Sequence, residues 1–121
     1  STVFVGVDSG QNHLIRPMFY DAYHHIENIS NPDGASRLYS VVGYICETDT
    51  LGYDRKLQEV REGDVLRIHN AGAYGFSMSN NYNARLRPAE VLVKDGQAHL
   101  IRKREVLEDL IRNEIELDGL I

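Results

Sequence analysis

The sequence predicts a mainly β domain, an antiparallel β-sandwich or barrel-like arrangement with short helices that include an amphipathic C-terminal helix. Val3, Val5 and Val7 recur at period two, as in a half-buried strand. Asp95 is followed by Gly96 between two strand-like segments, which predicts a hairpin with a two-residue type I′ turn. After this hairpin the spacing of the apolar residues changes to three and four, which indicates a helix.

The first half of the chain is predicted to alternate strands and turns. Residues 9–12 form a loop, and the structure of the segment after it is left open, because Pro17 permits either an extended or a first-turn helical start. Residues 31–34 have the composition of a turn. Residues 40–46 are predicted as a strand that ends at Cys46.

The second half continues the same pattern before the hairpin. Residues 61–64 are predicted as a turn that leads into a strand at 65–69. Residues 71–75 are mostly small and are predicted as a loop in which other groups can approach the backbone closely. The apolar residues that predict the terminal amphipathic helix are Val106, Leu107, Leu110, Ile111 and Ile115.

Composition bounds the size and the class of the protein. The 121 residues, 42% of them hydrophobic and 26% charged, fit one folded domain over residues 1–121. The net charge of -5 gives no electrostatic reason to expect nucleic acid or an anionic membrane as a partner, and no apolar run reaches membrane-spanning length. Cys46 is the only cysteine, so no internal disulfide is expected, and a cytoplasmic setting is the default expectation.

Five residues could carry chemistry. Arg16 can bind a carboxylate through two parallel hydrogen bonds, and Tyr20 adds a neutral donor, although a surface arginine and a packing tyrosine explain the same residues. Cys46 could donate a proton to a carbanion and Glu47 could bind an ammonium group, while a lone cysteine after an apolar strand is also typical of an inert buried residue. Tyr74 could point its hydroxyl into a cleft or fill the core.

The neighbouring His24 and His25 raise the question of a metal site. Adjacent residues of a strand or a helix do not share a face. No third ligand with suitable spacing is found in the sequence, so we expect no metal site.

Several segments match a known pattern in order over nearly the whole chain. They are residues 7–10, 16–20, 42–47, 54–55, 62–64, 71–78, 81–83 and 87–91. Together they resemble the C-terminal part of the diaminopimelate decarboxylases, which belong to the alanine-racemase-like group of pyridoxal-phosphate enzymes. Many members have Ser-Gly-Asp after the Cys-Glu pair, whereas this chain has Thr48, Asp49 and Thr50, so the resemblance leaves the geometry of that loop open.

The resemblance implies a two-domain enzyme in which an α/β barrel holds pyridoxal 5′-phosphate and a C-terminal β domain covers the active site of a homodimer. Residues 1–121 correspond to that β domain alone. None of Lys56, Lys94 and Lys103 lies in a segment that matches the cofactor-binding lysine of the barrel. The isolated chain is therefore expected to be inactive, and its partners are expected to be its own barrel and a second copy of the protein.

The same resemblance assigns roles to the five candidate residues. Cys46 matches the general acid, which is supplied across the dimer. Glu47 matches the residue that binds the distal ammonium of the substrate, also across the dimer. Arg16 and Tyr20 match the groups that hold the distal carboxylate of the substrate. Tyr74 matches a tyrosine at the substrate that contacts the cofactor phosphate.

The implied reaction is the decarboxylation of meso-2,6-diaminopimelate to L-lysine, a step of lysine biosynthesis. A substrate end with one ammonium and one carboxylate needs an anion and a cation in fixed geometry, and Glu47 with Arg16 would supply both. Carboxynorspermidine decarboxylases and ornithine- or arginine-type decarboxylases share the fold and remain alternatives, although the ornithine enzymes typically have Asp after the Cys. A dimerisation module without chemistry of its own is the alternative from another class.

Overall fold

The computed structural model describes residues 1–120 and divides the chain into two compact units, Ser1–Ser79 and Asn80–Ile121. The described residues form strands and a few short helices, in agreement with the predicted mainly β class. None of the helices in this part of the chain combines the length and the apolar character that crossing a membrane requires.

The first unit contains two sheets. In the larger sheet the strand order is β1-β3-β4, in which β1 is parallel to β3 and β3 is antiparallel to β4. In the smaller sheet β2 is antiparallel to β5. The bounds of these strands are Phe4–Gly6 for β1, Ile26–Asn28 for β2, Ser36–Val42 for β3, Thr50–Gln58 for β4 and Leu66–Ile68 for β5.

The apolar core of the first unit is built by these strands and by the loop after β1. Val5 and Val7 are partly buried and pack against the core. Alternate residues at the start of the chain therefore contact it, as the period-two pattern predicts. The buried members of the core are Leu14, Ile26, Tyr39, Val41, Leu51 and Leu57.

Two helices of about one turn belong to the same unit. Helix α1 spans Arg16–Tyr20, so the segment that the sequence left open is helical, with Pro17 in the first turn, where proline is tolerated. Helix α2 spans Gly72–Gly75 and replaces the loop that the small residues predicted. No glycine of α2 has a positive φ, so this helix does not use the conformational freedom that glycine offers.

The second unit contains a hairpin and a short helix. Strands β6 (Glu90–Lys94) and β7 (Gln97–Arg102) pair antiparallel, and helix α3 spans Leu107–Ile111. Asp95 has φ 52° and Gly96 has φ 74°, which are the two left-handed positions that a type I′ turn requires. The predicted hairpin is therefore confirmed.

Three further sequence predictions differ from the structure. The sequence predicted a strand that ends at Cys46. In the structure this strand, β3, already ends at Val42, and the chain turns directly after Val42. Strand β4 was not predicted, since the left-handed residue Asp54 (φ 46°) interrupts the alternation of its side chains. The terminal helix ends at Ile111, so Ile115 lies beyond it.

Candidate functional site

All five residues that the sequence singled out lie in the first unit, on three segments. Arg16 and Tyr20 are the first and last residues of α1. Cys46 and Glu47 lie in the turn that joins β3 to β4, and Tyr74 lies on α2. Arg16 is partly buried, whereas the other four residues are exposed. Cys46 is free and exposed, so the alternative that it is buried is wrong.

Helix α1 is short because the chain reverses directly after it. Asp21 adopts a left-handed conformation with φ 55°, and its backbone N–H donates to the carbonyl of Arg16. The N–H of Ala22 donates to the same carbonyl at 3.3 Å. These bonds cap the helix after one turn and fix the backbone positions of Arg16 and Tyr20.

Arg16 and Tyr74 contact each other. The guanidinium carbon of Arg16 lies 4.8 Å from the centroid of the Tyr74 ring, which is a cation–π arrangement. Helix α2 positions the ring, since the N–H of Gly75 donates to the carbonyl of Ala71 at 2.6 Å. The stacking restricts the orientation of the planar guanidinium of Arg16. Tyr74 is exposed, so its hydroxyl is available to a further ligand.

A buried carboxylate organises the turn that carries Cys46 and Glu47. Asp49 is 6% exposed, and its Oδ2 accepts a hydrogen bond from the N–H of Ile45 at 2.9 Å. Its Oδ1 accepts from the N–H of Gln11 at 2.7 Å, which ties the turn to the loop after β1. The side chain of Asp49 thus holds the residue directly before Cys46.

The close packing around Asp49 requires two glycines. A Cβ on Gly43 would clash with Oδ2 of Asp49 and would lie 2.7 Å from the Cα of Gly10. A Cβ on Gly10 would lie 2.5 Å from the same oxygen. Gly10, Gly43 and Asp49 therefore form one interlocked group, which we call the Asp49 clamp. It also explains why β3 ends at Val42, since the backbone leaves the sheet to pass beside the carboxylate.

Sequence reasoning missed the role of Asp49. It treated residues 48–50 only as a departure from the family pattern, whereas Asp49 supplies the contacts that shape the loop. The signal that could have identified it is an aspartate in a short segment between two strands, where a carboxylate commonly accepts hydrogen bonds from nearby backbone N–H groups. Its second partner, Gln11, lies 38 residues away and could not be inferred from spacing.

The structure separates the candidate residues into groups. Arg16 and Tyr74 form one group through their stacking contact, and Cys46 and Glu47 form another through their shared turn. Among residues 1–120, no hydrogen bond, ion pair or ring contact joins the first group to the second. Tyr20 contacts Phe19 edge to face, with ring centroids 4.7 Å apart.

Two open clefts of the first unit do not coincide with these groups. One cleft of about 660 Å³ is lined by residues of α1, of the segment after it and of β4, including Pro17, Tyr23 and Arg55. The other lies between β1 and the turn before β5. None of the five candidate residues lines either cleft. Because four of the five are exposed, a further protein surface would have to cover them to enclose a ligand.

A separate polar group lies on the smaller sheet. Glu27 on β2 accepts hydrogen bonds from His69 Nε2 at 2.9 Å and from the guanidinium of Arg67. The hydrogen bond from His69 and then that from Arg67 hold the pKa of the Glu27 carboxyl below its ordinary value of 4.5. This carboxylate is therefore charged at neutral pH.

The turn before β5 is fixed by another carboxylate. Oδ2 of Asp64 accepts hydrogen bonds from the N–H of Arg61 and from the amide of Asn28, both at 2.9 Å. The backbone N–H first, and then the amide of Asn28, lower the pKa of Asp64 below its ordinary value of 3.8. Asn28 is buried, so this bond joins the turn to the interior of the unit.

Comparison with known families identifies what the first unit is similar to. Residues 1–72 match the family described as pyridoxal-dependent decarboxylase, C-terminal sheet domain. This matched region contains four of the five candidate residues, whereas Tyr74 lies just beyond it.

Individual relatives extend the similarity over most of the chain. It is 51% identical to the diaminopimelate decarboxylase of Methanothermobacter thermautotrophicus over 92% of this chain and 26% of that protein. It is 54% identical to the diaminopimelate decarboxylase of Neisseria meningitidis serogroup B over 93% of this chain and 27% of that protein. The chain thus spans about a quarter of the length of these relatives.

A solved structure has the same fold. The crystal structure of the diaminopimelate decarboxylase of Methanocaldococcus jannaschii in complex with L-lysine superposes with a TM-score of 0.89 at 45% identity. The superposition covers 98% of this chain and 27% of that chain.

Proposed function

The chain belongs to the family of pyridoxal-dependent decarboxylases as their C-terminal sheet domain, and we propose that the protein that carries it converts meso-2,6-diaminopimelate to L-lysine. The observation that carries this proposal is the 51% and 54% identity to two diaminopimelate decarboxylases over more than nine-tenths of the chain. The protein would act in the cytoplasm, in the biosynthesis of lysine.

The cofactor of this reaction is pyridoxal 5′-phosphate, which when bound serves as an electron sink for the bond that loses carbon dioxide. The donor groups of the first unit fit a role beside it. The side chain of Tyr74 is exposed, and its hydroxyl can donate a hydrogen bond to a phosphate oxygen. An α/β barrel in the same protein would supply the lysine that binds the cofactor.

Cys46 would donate the proton that replaces the lost carboxyl group. Its thiol is free and exposed on a turn that the Asp49 clamp holds in place. A donor in fixed position can transfer its proton from Sγ to one face of the substrate α-carbon. We assign Cys46 as the general acid on this basis.

Arg16 and Glu47 would recognise the far end of the substrate. The guanidinium of Arg16 is stacked on Tyr74, so its orientation for a carboxylate is largely set before the substrate binds. Tyr20, at the other end of α1, would donate a second hydrogen bond to the same carboxylate. Glu47 would accept the distal ammonium group, which gives the site one charge for each charge of the substrate.

The protein would work as a homodimer in which each active site takes residues from both subunits. The separation of the candidate residues into groups without mutual contact supports this arrangement. The Arg16–Tyr74 pair would belong to the site of its own subunit, and the turn of Cys46 and Glu47 would complete the site of the partner.

The substrate assignment is tested with L-lysine, the product, which keeps the distal ammonium and carboxylate of the substrate, and cadaverine, which differs from lysine only in lacking that carboxylate. Arg16→Met should weaken the binding of lysine far more than that of cadaverine, because only lysine has a distal carboxylate to lose its partner. Glu47→Gln should weaken both, because both ligands carry the distal ammonium. The expected losses are about 2–5 kcal/mol for each charge left unpaired. Binding is measured by calorimetry on the full-length protein loaded with its cofactor.

Arg37→Met is the matched control for Arg16→Met. Arg37 also lies over a tyrosine, with its guanidinium carbon 5.9 Å from the ring centroid of Tyr39, but it lies on β3 and not on α1. This control should leave both affinities unchanged. Equal effects of Arg16→Met on the two ligands, or turnover of ornithine in preference to diaminopimelate, would contradict the proposed substrate.

A further inference from the structure

One face of the smaller sheet gathers four polar side chains. The strand register pairs Glu27 with Arg67. The N–H of His69 donates to the carbonyl of His25 at 2.8 Å, which extends the pairing by one residue. Since side chains two residues apart in a strand share a face, His25 and Glu27 face the same way as Arg67 and His69.

Three of these side chains carry atoms that bind metal ions. His25, Glu27 and His69 each offer one ligand atom, and these three atoms lie within 4.8 Å of one another. Nε2 of His69 and Oε1 of Glu27 are 2.9 Å apart. A tetrahedral ion with bonds of about 2.0–2.2 Å separates its ligand atoms by about 3.4 Å, so each pair needs to change by about 1.5 Å at most, which side-chain rotation can supply.

His24 does not take part in this group. Its side chain is 3% exposed, and its Nδ1 is hydrogen-bonded to the carbonyl of His69 at 2.9 Å. The sequence analysis expected no metal site because a third ligand was missing near the two histidines. Strand pairing brings in that ligand from His69, which lies 44 positions after His25 in the sequence.

The group is open enough to receive an ion and ordered enough to hold it. His25 is exposed, and the side chains of Glu27 and His69 retain 32% and 35% of their accessible surface. The hydrogen bonds of Arg67 and His69 both end on Oε1 of Glu27. An ion that binds the other oxygen, Oε2, leaves the bonds from Arg67 to Oε1 in place, so Arg67 continues to orient the carboxylate.

We propose that His25, Glu27 and His69 form a binding site for a divalent transition-metal ion, with zinc as the best match. Two imidazole nitrogens and one carboxylate oxygen are a ligand set that zinc accepts, with solvent in the fourth position. The ion replaces the hydrogen bond between His69 and Glu27. The site lies outside the five residues proposed for decarboxylation, so it does not depend on that function.

The test is a titration of the full-length, tag-free protein with ZnCl₂, measured by calorimetry. All variants are made in a Cys46→Ser background, so that the exposed thiol adds no competing site. We expect one zinc equivalent whose affinity falls at least about tenfold in His25→Ala, His69→Ala and Glu27→Gln. Co²⁺ should give the visible absorption of a four-coordinate site in the parent and lose it in the same variants.

His99→Ala is the matched control, because it removes an exposed imidazole from β7 in the other unit. It should leave zinc binding unchanged. His25→Gln serves as a second variant, because glutamine keeps a polar side chain at this exposed position if the alanine variant unfolds. The proposal is overturned if the parent binds no zinc, if the His25 and His69 variants bind it as tightly as the parent, or if His99→Ala loses the same equivalent.

Discussion

The two units of the chain differ in the contacts that stabilise them. In Ser1–Ser79 the core side chains are accompanied by buried polar groups such as Asn12, Asn28 and Asp49. In the described residues of the second unit, 80–120, no residue is buried, and many large apolar side chains of β6, β7 and α3 are exposed. The first unit is held by contacts between residues distant in sequence, and the second by turns and surface pairs.

Two aspartates with similar hydrogen bonds illustrate this difference. Asp49 is buried, and one of its two backbone N–H partners comes from 38 residues away. Asp109 accepts a backbone N–H from Val106 at 2.8 Å, three residues before it, at the start of α3. All five candidate site residues lie in the first unit, which fits the need of a site for side chains supported by packed surroundings.

The largest expected effect concerns turnover and Cys46. If Cys46 has the proposed role of general acid, Cys46→Ala in the full-length protein should lower the rate of decarboxylation by about two to four orders of magnitude, the usual scale for the loss of a positioned acid. The affinity for diaminopimelate should change little, since the thiol acts after the substrate is bound. Steady-state kinetics with saturating cofactor measures both quantities. His99→Ala in the second unit should keep the parent rate.

Mixing subunits sharpens this prediction. A Cys46→Ala subunit paired with an Arg16→Met subunit would contain one site in which both residues are intact. If subunits exchange at random, about half of the dimers are mixed and each has one such site, so activity should recover to about a quarter of the parent. A Cys46→Ala enzyme within a few-fold of the parent, or no recovery after verified exchange, would show that the thiol is not a shared acid.

An intermediate effect is expected on stability when the two aspartates are compared. Asp49→Ala leaves one buried and one partly buried backbone N–H group without their acceptor, which costs about 1–3 kcal/mol for each group. Asp109→Ala removes a helix cap near the surface, which costs about 1 kcal/mol. Urea unfolding of the full-length protein, monitored by circular dichroism, compares the two losses. Equal losses would mean that the Asp49 clamp is no more important than a surface cap.

The smallest expected effect depends on pH and concerns Asp64. Because its pKa is lowered in the folded state, the ionised carboxyl stabilises the protein above the unfolded pKa, near 3.8, and this contribution is lost as the pH falls through the folded value. Asp64→Ala should therefore lower the melting temperature at neutral pH, and the difference should shrink as the pH falls below 3.8. Asp118→Ala in the second unit is the control. A difference that stays constant with pH would contradict the ionic origin of the effect.

The sequence was most informative where neighbours in the chain decide the structure. Asp95 followed by Gly96 predicted the hairpin correctly, because both residues tolerate the left-handed conformation that its turn needs. Residues 61–64 form the expected turn, in which the N–H of Asp64 donates to the carbonyl of Arg61 at 3.0 Å. The order of short motifs was sufficient to identify the family.

The sequence was less informative about the ends of elements. It extended the third strand to Cys46, because residues 40–46 are largely apolar, whereas the strand ends at Val42. It missed β4, in which the left-handed Asp54 changes the face that each side chain occupies. The contacts of Asp49 end β3, and the left-handed Asp54 distorts β4. Neither feature can be read from the local pattern of apolar residues.

The sequence by itself determined the mainly β class, the hairpin turn, the family and the choice of the five candidate residues. Only the tertiary structure decided that Arg16 stacks on Tyr74, that a buried carboxylate holds the turn of Cys46, and that His69 joins the polar residues of β2. The physical reason is distance along the chain. Turn and strand preferences act over a few residues. The three contacts that only the structure revealed join residues that are far apart in sequence or on different elements, and strand pairing or packing brings such residues together when the chain folds.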